Sequence, residues 1–215
     1  MGSNEGAGVV GRYRWVVCGL LFLATTINYI DRQILALVKE FLDQELGWTN
    51  EQFGMVNSAF QGAYAVGLLA FGWFVDRFGT KIGYAVSLVL WSLSAIGHAA
   101  VGSVRGFFAA RIALGASEGG NFPSAIKAVA LWFPKRERAF ATALFNSGTN
   151  VGAILAPPLV PPIALAFGWR AAFVFAGLVG FLWLFLWIPF YEVPEKRKGL
   201  DPAELAHLAT FDLPY

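Results

Sequence analysis

The stretch "WVVCGLLFLATTINYIDRQI", residues 15–34, is apolar over most of its length and ends with an acid beside a base, Asp31 and Arg32. Its length matches the roughly 20 residues that an α-helix needs to cross a hydrocarbon core of about 30 Å. Further apolar stretches of similar length follow it. The complete set is residues 15–34, 53–75, 82–102, 107–130, 139–166 and 171–191.

The composition is that of a membrane protein. The chain has 215 residues, of which 57% are hydrophobic and 14% charged, with a mean hydropathy of +0.57; soluble domains carry about 25% charged residues. A bilayer admits only helices or closed barrels, and barrel strands alternate over about 10 residues. The sequence therefore predicts an all-α integral membrane protein with six transmembrane helices.

Three regions follow from this pattern. They are a short segment 1–14, a six-helix bundle 15–191 and a polar segment 192–215, within which residues 200–208 read as a short helix. With the first segment inside, the inner segments hold the basic residues Arg12, Arg14, Arg77, Lys81, Lys135, Arg136, Arg138, Lys196, Arg197 and Lys198. The outer segments hold only Lys39, Arg105 and Arg170. This bias predicts a multi-pass protein of the inner (plasma) membrane with both termini in the cytoplasm.

Several function classes are disfavoured at this point. The net charge of +2 reflects the bias between the loops and does not indicate a nucleic-acid partner. The single cysteine, the absence of clustered metal ligands and the absence of a nucleophile motif predict no metal, no cofactor and no enzymatic activity.

Four charged residues lie inside the predicted spans: Asp31, Arg32, Arg111 and Glu118. Each costs about 2.5–3.5 kcal/mol at a helix centre, so such residues usually pair inside a bundle and mark functional sites. Helix rise places Asp31 and Arg111 at similar depths on the first and fourth spans, which predicts an ion pair between these helices. Glu118 lies on the same face of its helix as Arg111.

These charges suit a proton-coupled carrier. Motion that makes or breaks an Arg contact to a buried carboxylate would change the proton affinity of that carboxylate. The alternative is that all four residues form structural ion pairs, or that Asp31 and Arg32 lie at the membrane interface. For Tyr64 two interpretations are equally favoured: its hydroxyl contacts a polar ligand, or its ring only packs between helices.

Two amides of the fifth span, Asn146 and Asn150, lie one helical turn apart. They could line a polar cavity, and they could equally form hydrogen bonds between helices.

The loop "GWFVDRFGTK", residues 72–81, resembles the loop motif of the major facilitator superfamily. The stretches "NYIDRQ" (28–33), "RIALGASEGGNFPSAIKAVALWFPKRERA" (111–139), "NSGTNVGAILAPPLVPP" (146–162) and "GWRAAF" (168–173) together resemble the anion:cation symporter family within it. Within that family they look most like the hexuronate transporters.

The resemblance implies a proton-coupled importer of hexuronates such as galacturonate or glucuronate. It implies that Arg32 contacts the substrate carboxylate, that Tyr29 and Tyr64 line the site, and that Asp31 and Glu118 are the protonatable pair, coupled by Arg111. The expected gating loop comprises Gly72, Asp76, Arg77, Gly79 and Lys81. The expected partners are a small organic anion, protons and the lipid bilayer.

The family has twelve helices in two bundles that rock about a central site, whereas this sequence has six. We therefore expect the chain to be the N-terminal half, with truncation before a second six-helix bundle as the favoured explanation and pairing of the half with another chain as the alternative. Two alternatives stay open: transport of another sugar acid such as galactonate or glucarate, and a half-bundle that transports nothing.

Overall fold

A computed structural model describes residues 12–197, and over that range the chain forms nine α-helices and one 3₁₀ turn without a β-strand. The elements are α1 (Tyr13–Leu37), α2 (Lys39–Leu46), α3 (Asn50–Phe78), α4 (Thr80–His98), α5 (Val104–Glu118), α6 (Asn121–Trp132), α7 (Lys135–Asn146), α8 (Gly148–Phe167), α9 (Trp169–Phe190) and the 3₁₀ turn Pro194–Lys196. The helix expected over residues 200–208, and residues 1–11 of the first segment, lie outside the described range.

The six predicted spans map onto these helices, and two of them are interrupted: residues 107–130 between α5 and α6, and residues 139–166 at Ser147 between α7 and α8. Five helical segments within residues 12–197 are long and apolar enough to cross a membrane: Tyr13–Leu37, Asn50–Phe78, Thr80–His98, Lys135–Phe167 and Trp169–Phe190. The remaining predicted span, residues 107–130, is not one helix, because it divides into α5 and α6. The outer loop between the first two spans also contains a helix, α2.

The division between α5 and α6 falls at Gly119 and Gly120, directly after Glu118. Side chains of α4 bond the polar groups around the break: Ser87 Oγ donates to the Ser117 carbonyl at 2.7 Å, and the Tyr84 hydroxyl donates to the Asn121 side-chain oxygen. Broken helices persist in membranes when neighbouring groups satisfy the exposed backbone in this way.

Close helix packing fixes the position of α5. A Cβ atom on Gly67 of α3 would lie 2.1 Å from the Ala116 carbonyl oxygen, and one on Gly115 of α5 would lie 2.3 Å from the Phe60 carbonyl oxygen. Only glycine permits the two backbones to approach this closely. The neighbouring pairs α1–α8 and α4–α9 also pack along their lengths and complete the bundle.

Two aromatic clusters fill the core at opposite ends of the bundle. At one end, Trp183, Trp187 and Tyr191 stack at successive turns of α9, with ring centroids 5.0 Å and 3.9 Å apart. The indole N–H of Trp183 donates to the Leu20 carbonyl at 3.0 Å, and that of Trp187 donates to the Lys81 carbonyl at 3.1 Å. These two tryptophans of α9 therefore connect α9 to both α1 and α4.

At the other end, α2 is held across the bundle by Glu45. Its carboxylate accepts from Trp169 Nε1 at 2.6 Å and pairs with Arg170 Nη2 at 2.6 Å. These hydrogen bonds, that from Arg170 first, hold the pKa of Glu45 below its ordinary value. The contacts join α2 to the first turn of α9.

The outer surface is apolar where a soluble protein would be polar. Leu69, Phe167 and Phe185 are exposed by 79%, 78% and 75%, and many other large apolar side chains accompany them. Such extensive apolar surface marks a face that contacts lipid or another protein.

We predict that Gly67→Val destabilises the bundle by about 1–3 kcal/mol, because the added atoms force α3 and α5 apart. The matched control is Gly62→Val on the same helix, where a Cβ atom meets nothing within 4 Å. Unfolding free energies measured by SDS titration in mixed micelles test this. Equal losses for the two variants would contradict the packing account of the α3–α5 contact.

Candidate functional site

A buried ion pair lies between α1 and α5. Arg32 Nε approaches Glu118 Oε2 to 2.7 Å, and the Glu118 side chain is fully buried while that of Arg32 is 18% exposed. The close contact between α3 and α5 brings Glu118 to this depth, and the last turns of α1 supply Arg32. The first and fourth predicted spans are thus joined by an ion pair.

The residues of this pair differ from those expected. The predicted pair of Asp31 with Arg111 does not form within 4 Å in the described part of the chain, although both side chains are buried. Their charges still act on each other over a longer distance. The rise of a helix gives the depth of a residue in the membrane but not the direction of its side chain, because neighbouring residues point about 100° apart around the axis. The ion pair with the fourth span is therefore formed by Arg32, with Glu118, and not by Asp31.

Three aromatic rings surround the Arg32 guanidinium. Its central carbon lies 4.4 Å from the Tyr64 ring centroid, 5.0 Å from that of Tyr29 and 5.3 Å from that of Phe60. Such distances favour cation–π attraction, which is stronger away from water. Tyr29 and Tyr64 were expected from the sequence.

Phe60 is a site residue that the sequence did not single out. Its ring also lies 5.4 Å from the Arg111 guanidinium carbon, so it contacts both cations. It stacks with Tyr64 one turn later on α3, at 6.2 Å. The i, i+4 spacing of Phe60 and Tyr64 on the second span was the feature of the sequence that could have indicated Phe60 as a site residue.

Much of the hydrogen-bonding capacity around the pair is unused. Buried atoms without a hydrogen-bond partner include both side-chain polar atoms of Asn28, both Asp31 carboxyl oxygens, Arg32 Nη2, Trp91 Nε1, Arg111 Nε and Nη2, and Glu118 Oε1. Each such group costs about 1–3 kcal/mol when it stays unpaired. The cluster can therefore accept a proton, water or a polar ligand with a net gain in hydrogen bonding.

The two asparagines of the predicted fifth span are not brought to Arg32. Asn146 ends α7 and Asn150 lies in the first turn of α8; both are exposed and make no side-chain hydrogen bond with residues 12–197. Over the same residues, no group of three or more His, Cys, Asp or Glu side chains is arranged to hold a metal ion.

The predicted gating loop lies at the α3–α4 turn. Gly79 makes that turn with φ +86°, a conformation that favours glycine, and a Cβ atom on Gly72 would meet open space. Asp76 Oδ1 pairs with Lys127 Nζ of α6 at 2.7 Å, and the same amine donates to the Val75 carbonyl at 3.1 Å. Lys127 is therefore a second site residue that the sequence did not assign.

The other charges of this loop take separate positions. Arg77 is exposed and forms no ion pair within the described range. Lys81 Nζ pairs with Glu192 Oε2, just beyond α9, at 2.9 Å. The hydrogen bond from Lys81 holds the pKa of Glu192 below its ordinary value. The loop therefore contacts both α6 and the segment that follows α9.

Comparison with known families gives one match that covers most of the chain. The model of the Major Facilitator Superfamily matches residues 21–212. The fold resembles that of the proton:xylose symporter XylE bound to 6-bromo-6-deoxy-D-glucose, with a TM-score of 0.75, 19% identity, and coverage of 85% of this chain and 46% of that one.

Curated relatives include transporters of sugar acids. The chain is 37% identical to the "Hexuronate transporter" of Escherichia coli (strain K12) over 191 residues, covering 89% of this chain and 44% of that protein. It is 33% identical to the "Galacturonate transporter" of Dickeya chrysanthemi over 195 residues, covering 91% and 56%. The chain spans about half the length of these relatives. The resemblance read from the motifs is confirmed, and so is the expectation that the chain is not an enzyme.

We predict that the Arg32–Glu118 pair behaves as a buried pair. Arg32→Met leaves a buried carboxylate uncompensated and should cost about 3–5 kcal/mol of unfolding free energy. Adding Glu118→Gln removes that charge and should recover much of the loss, which gives a coupling energy of about 1–3 kcal/mol in a double-mutant cycle.

The matched control is the exposed pair of Lys127 with Asp76, which has the same N–O distance of 2.7 Å. Lys127→Met and Asp76→Asn should show a coupling of about 0–1 kcal/mol, because solvent screens the pair. SDS titration in mixed micelles measures both cycles. Additive losses at Arg32 and Glu118 would show that the two groups do not stabilise each other.

Proposed function

The chain belongs to the Major Facilitator Superfamily, and from that premise we propose that it forms the N-terminal bundle of a proton-coupled importer of hexuronates. A second six-helix bundle completes the substrate site in this proposal, with the site on the face that carries Arg32. Both termini lie in the cytoplasm and the membrane is the inner membrane. The observation that carries the proposal is the ion pair of Arg32 with the fully buried Glu118.

Charge balance couples the anion to the proton. The site holds two acids, Asp31 and Glu118, and two bases, Arg32 and Arg111, so its formal charge is −2 + 2 = 0 when all four are ionised. Protonation of either carboxylate leaves the site with a charge of +1. An anionic substrate then restores neutrality, and neutrality is strongly favoured away from water. A proton and an organic anion thus favour each other's binding.

Competition for Arg32 gives this coupling a structural route. While Glu118 is ionised, it accepts the Nε–H of Arg32. A proton taken from solvent onto Glu118 removes the charge that holds this contact. The guanidinium, whose planar fork matches a carboxylate, is then available to the carboxylate of the sugar acid.

Aromatic rings support the sugar part of the ligand. Tyr29 and Tyr64 lie against Arg32 and are partly exposed, so each phenol can offer its hydroxyl to a sugar hydroxyl while its ring holds the cation. Asn146 and Asn150 do not reach Arg32 within this bundle; they are proposed to contact the sugar hydroxyls from their exposed positions on α7 and α8. Asp31 and Arg111 complete the proton-coupling group.

The loop contacts support a gating role for residues 72–81. Asp76 links α3 to α6 through Lys127, and α6 begins immediately after the break that follows Glu118. Movement of α6 would therefore act on this contact. Gly72, Arg77, Gly79 and Lys81 belong to the same proposed gate.

We predict uptake of labelled galacturonate into proteoliposomes under an inward proton gradient when the chain is joined to a second six-helix bundle, and no uptake by the 215-residue chain alone. Arg32→Ala should weaken uptake about 10- to 100-fold, because a charge-assisted hydrogen bond is lost. Arg105→Ala is the matched control, since Arg105 is exposed at the start of α5.

The outcomes separate the parts of the proposal. Undiminished uptake by Arg32→Ala would overturn the role of Arg32, and uptake by the chain alone would overturn the need for a second bundle. Stronger competition by galactonate or glucarate than by glucuronate would replace hexuronate with another sugar acid. Absence of uptake in every form would contradict transport itself.

A further inference from the structure

His98, the last residue of α4, is fully buried. Its Nδ1 lies 2.7 Å from the carbonyl oxygen of Ser94. Because a carbonyl only accepts, Nδ1 carries the proton of this bond. The ring stacks on Phe173 of α9 at 4.8 Å and meets Phe107 of α5 at 5.9 Å. The ring is thus held on two sides, and the direction of its other nitrogen is fixed.

That other nitrogen, Nε2, is buried without a hydrogen-bond partner. Arg111 follows Phe107 by one helical turn on α5, on the same face. It has the opposite deficiency, since its Nε and Nη2 donors are buried and unpaired. Because the Phe107 ring meets His98 and Arg111 is one turn further along α5, the Arg111 charge lies close enough to influence the His98 ring. The unpaired acceptor Nε2 of His98 therefore lies near the unpaired donors Nε and Nη2 of Arg111.

Asp31 competes with His98 for the same guanidinium. Its carboxylate is buried and lies beside the Trp91 indole of α4. The charges of Arg111 and Glu118 on α5 and of Arg32 on α1 act on it. Trp91 and His98 are seven residues apart on α4 and so share one face. Arg111 therefore has an anionic neighbour in Asp31 and a neutral neighbour in His98.

We propose that His98 is a positioning residue for Arg111: its Nε2 accepts an N–H of Arg111 when Asp31 takes up a proton from solvent and no longer attracts that guanidinium. The proton stays on Asp31, and His98 remains neutral with its proton on Nδ1. The Arg111 guanidinium is thereby held against the end of α4 in the protonated state instead of competing with Arg32 for the incoming anion. This inference rests on the proposed function in treating Asp31 as a proton acceptor and Arg32 as the contact for the anion.

The groups that face His98 favour the neutral ring. Phe107 and Phe173 are apolar, and Arg111 is the charged side chain that acts on the ring. A second positive charge beside Arg111 in a buried site would be repelled. In the neutral ring, with its proton on Nδ1, the Nε2 atom of His98 can only accept a hydrogen bond.

The chain has two histidines, His98 and His207, so nitrogen NMR of ¹⁵N-histidine-labelled 215-residue chain in nanodiscs resolves the ring directly. The His207→Gln variant assigns the signals. We expect His98 to be neutral with protonated Nδ1. Asp31→Asn, which imitates the protonated acid, should move the Nε2 signal upfield, as hydrogen bonding to this nitrogen does.

The double variant Asp31→Asn with Arg111→Met keeps the site balanced, because it removes one charge of each sign, and it should return the Nε2 signal to its original position. An unchanged Nε2 signal in Asp31→Asn, or a ring protonated on both nitrogens, would overturn the proposal. Should Asp31→Asn not fold, acidification of the wild-type chain should produce the same upfield shift, and its absence down to the pH of unfolding would be equally decisive. These readouts do not involve a hexuronate, so they stand apart from the transport experiment.

In the joined two-bundle form, His98→Phe keeps the aromatic stack and removes the acceptor, whereas His98→Gln keeps an acceptor. We expect about tenfold lower uptake for the Phe variant with substantial rescue by Gln. Equal losses in both variants would point to a purely structural role and contradict the proposal.

Discussion

The ion pair of Arg32 with Glu118 is the interaction on which the arrangement of the site depends. A fully buried carboxylate is costly in a medium of low dielectric constant unless a cation lies in contact with it, and Arg32 Nε supplies this contact at 2.7 Å. That geometry requires α5 to approach α3 closely, which Gly67 and Gly115 permit. The helix break directly after Glu118 then frees α6 to follow its own direction.

Aromatic side chains allow two guanidinium groups to share a small volume. Phe60 contacts both Arg32 and Arg111, and Tyr29 and Tyr64 cover the remaining faces of Arg32. The rings attract each cation, and Phe60 is shared by the two. The two acids balance the charge. In the proposed mechanism the site is neutral when all four groups are ionised, so that an added proton favours binding of an anion.

The fold was largely predictable because a bilayer restricts the chain to helices of known length, and the apolar stretches mark them. The division of the fourth span was harder to place, since glycines such as Gly119 and Gly120 are also used for close packing in continuous membrane helices. The structure shows both uses together: a Cβ atom on Gly119 would lie 2.5 Å from Leu68 N, and one on Gly120 would lie 2.4 Å from Ser87 Oγ. Ser87 and Tyr84 also bond polar groups around the break.

The four buried charges could be predicted from the sequence, but which acid pairs with which base could not. Charged residues are easily recognised within apolar stretches, so the sequence identified Asp31, Arg32, Arg111 and Glu118. Which acid meets which base depends on rotation about the helix axes, and that rotation is set by packing elsewhere, such as Gly115 against Phe60. Lys127 and Phe60 were not predicted, because a lysine at the membrane interface and a phenylalanine in helix packing are both ordinary. The sequence does not distinguish these roles from a role in the site.

The most direct test of the coupling is the number of protons taken up when galacturonate binds to the chain joined to a second bundle. Calorimetric titrations in buffers of different ionisation enthalpy give this number. Competition between Glu118 and the substrate for Arg32 predicts uptake of about one proton per hexuronate at a pH where Glu118 is ionised, and loss of most of that uptake in Glu118→Gln with binding retained. Binding without proton uptake in the wild-type form would contradict the coupling of anion and proton at Arg32.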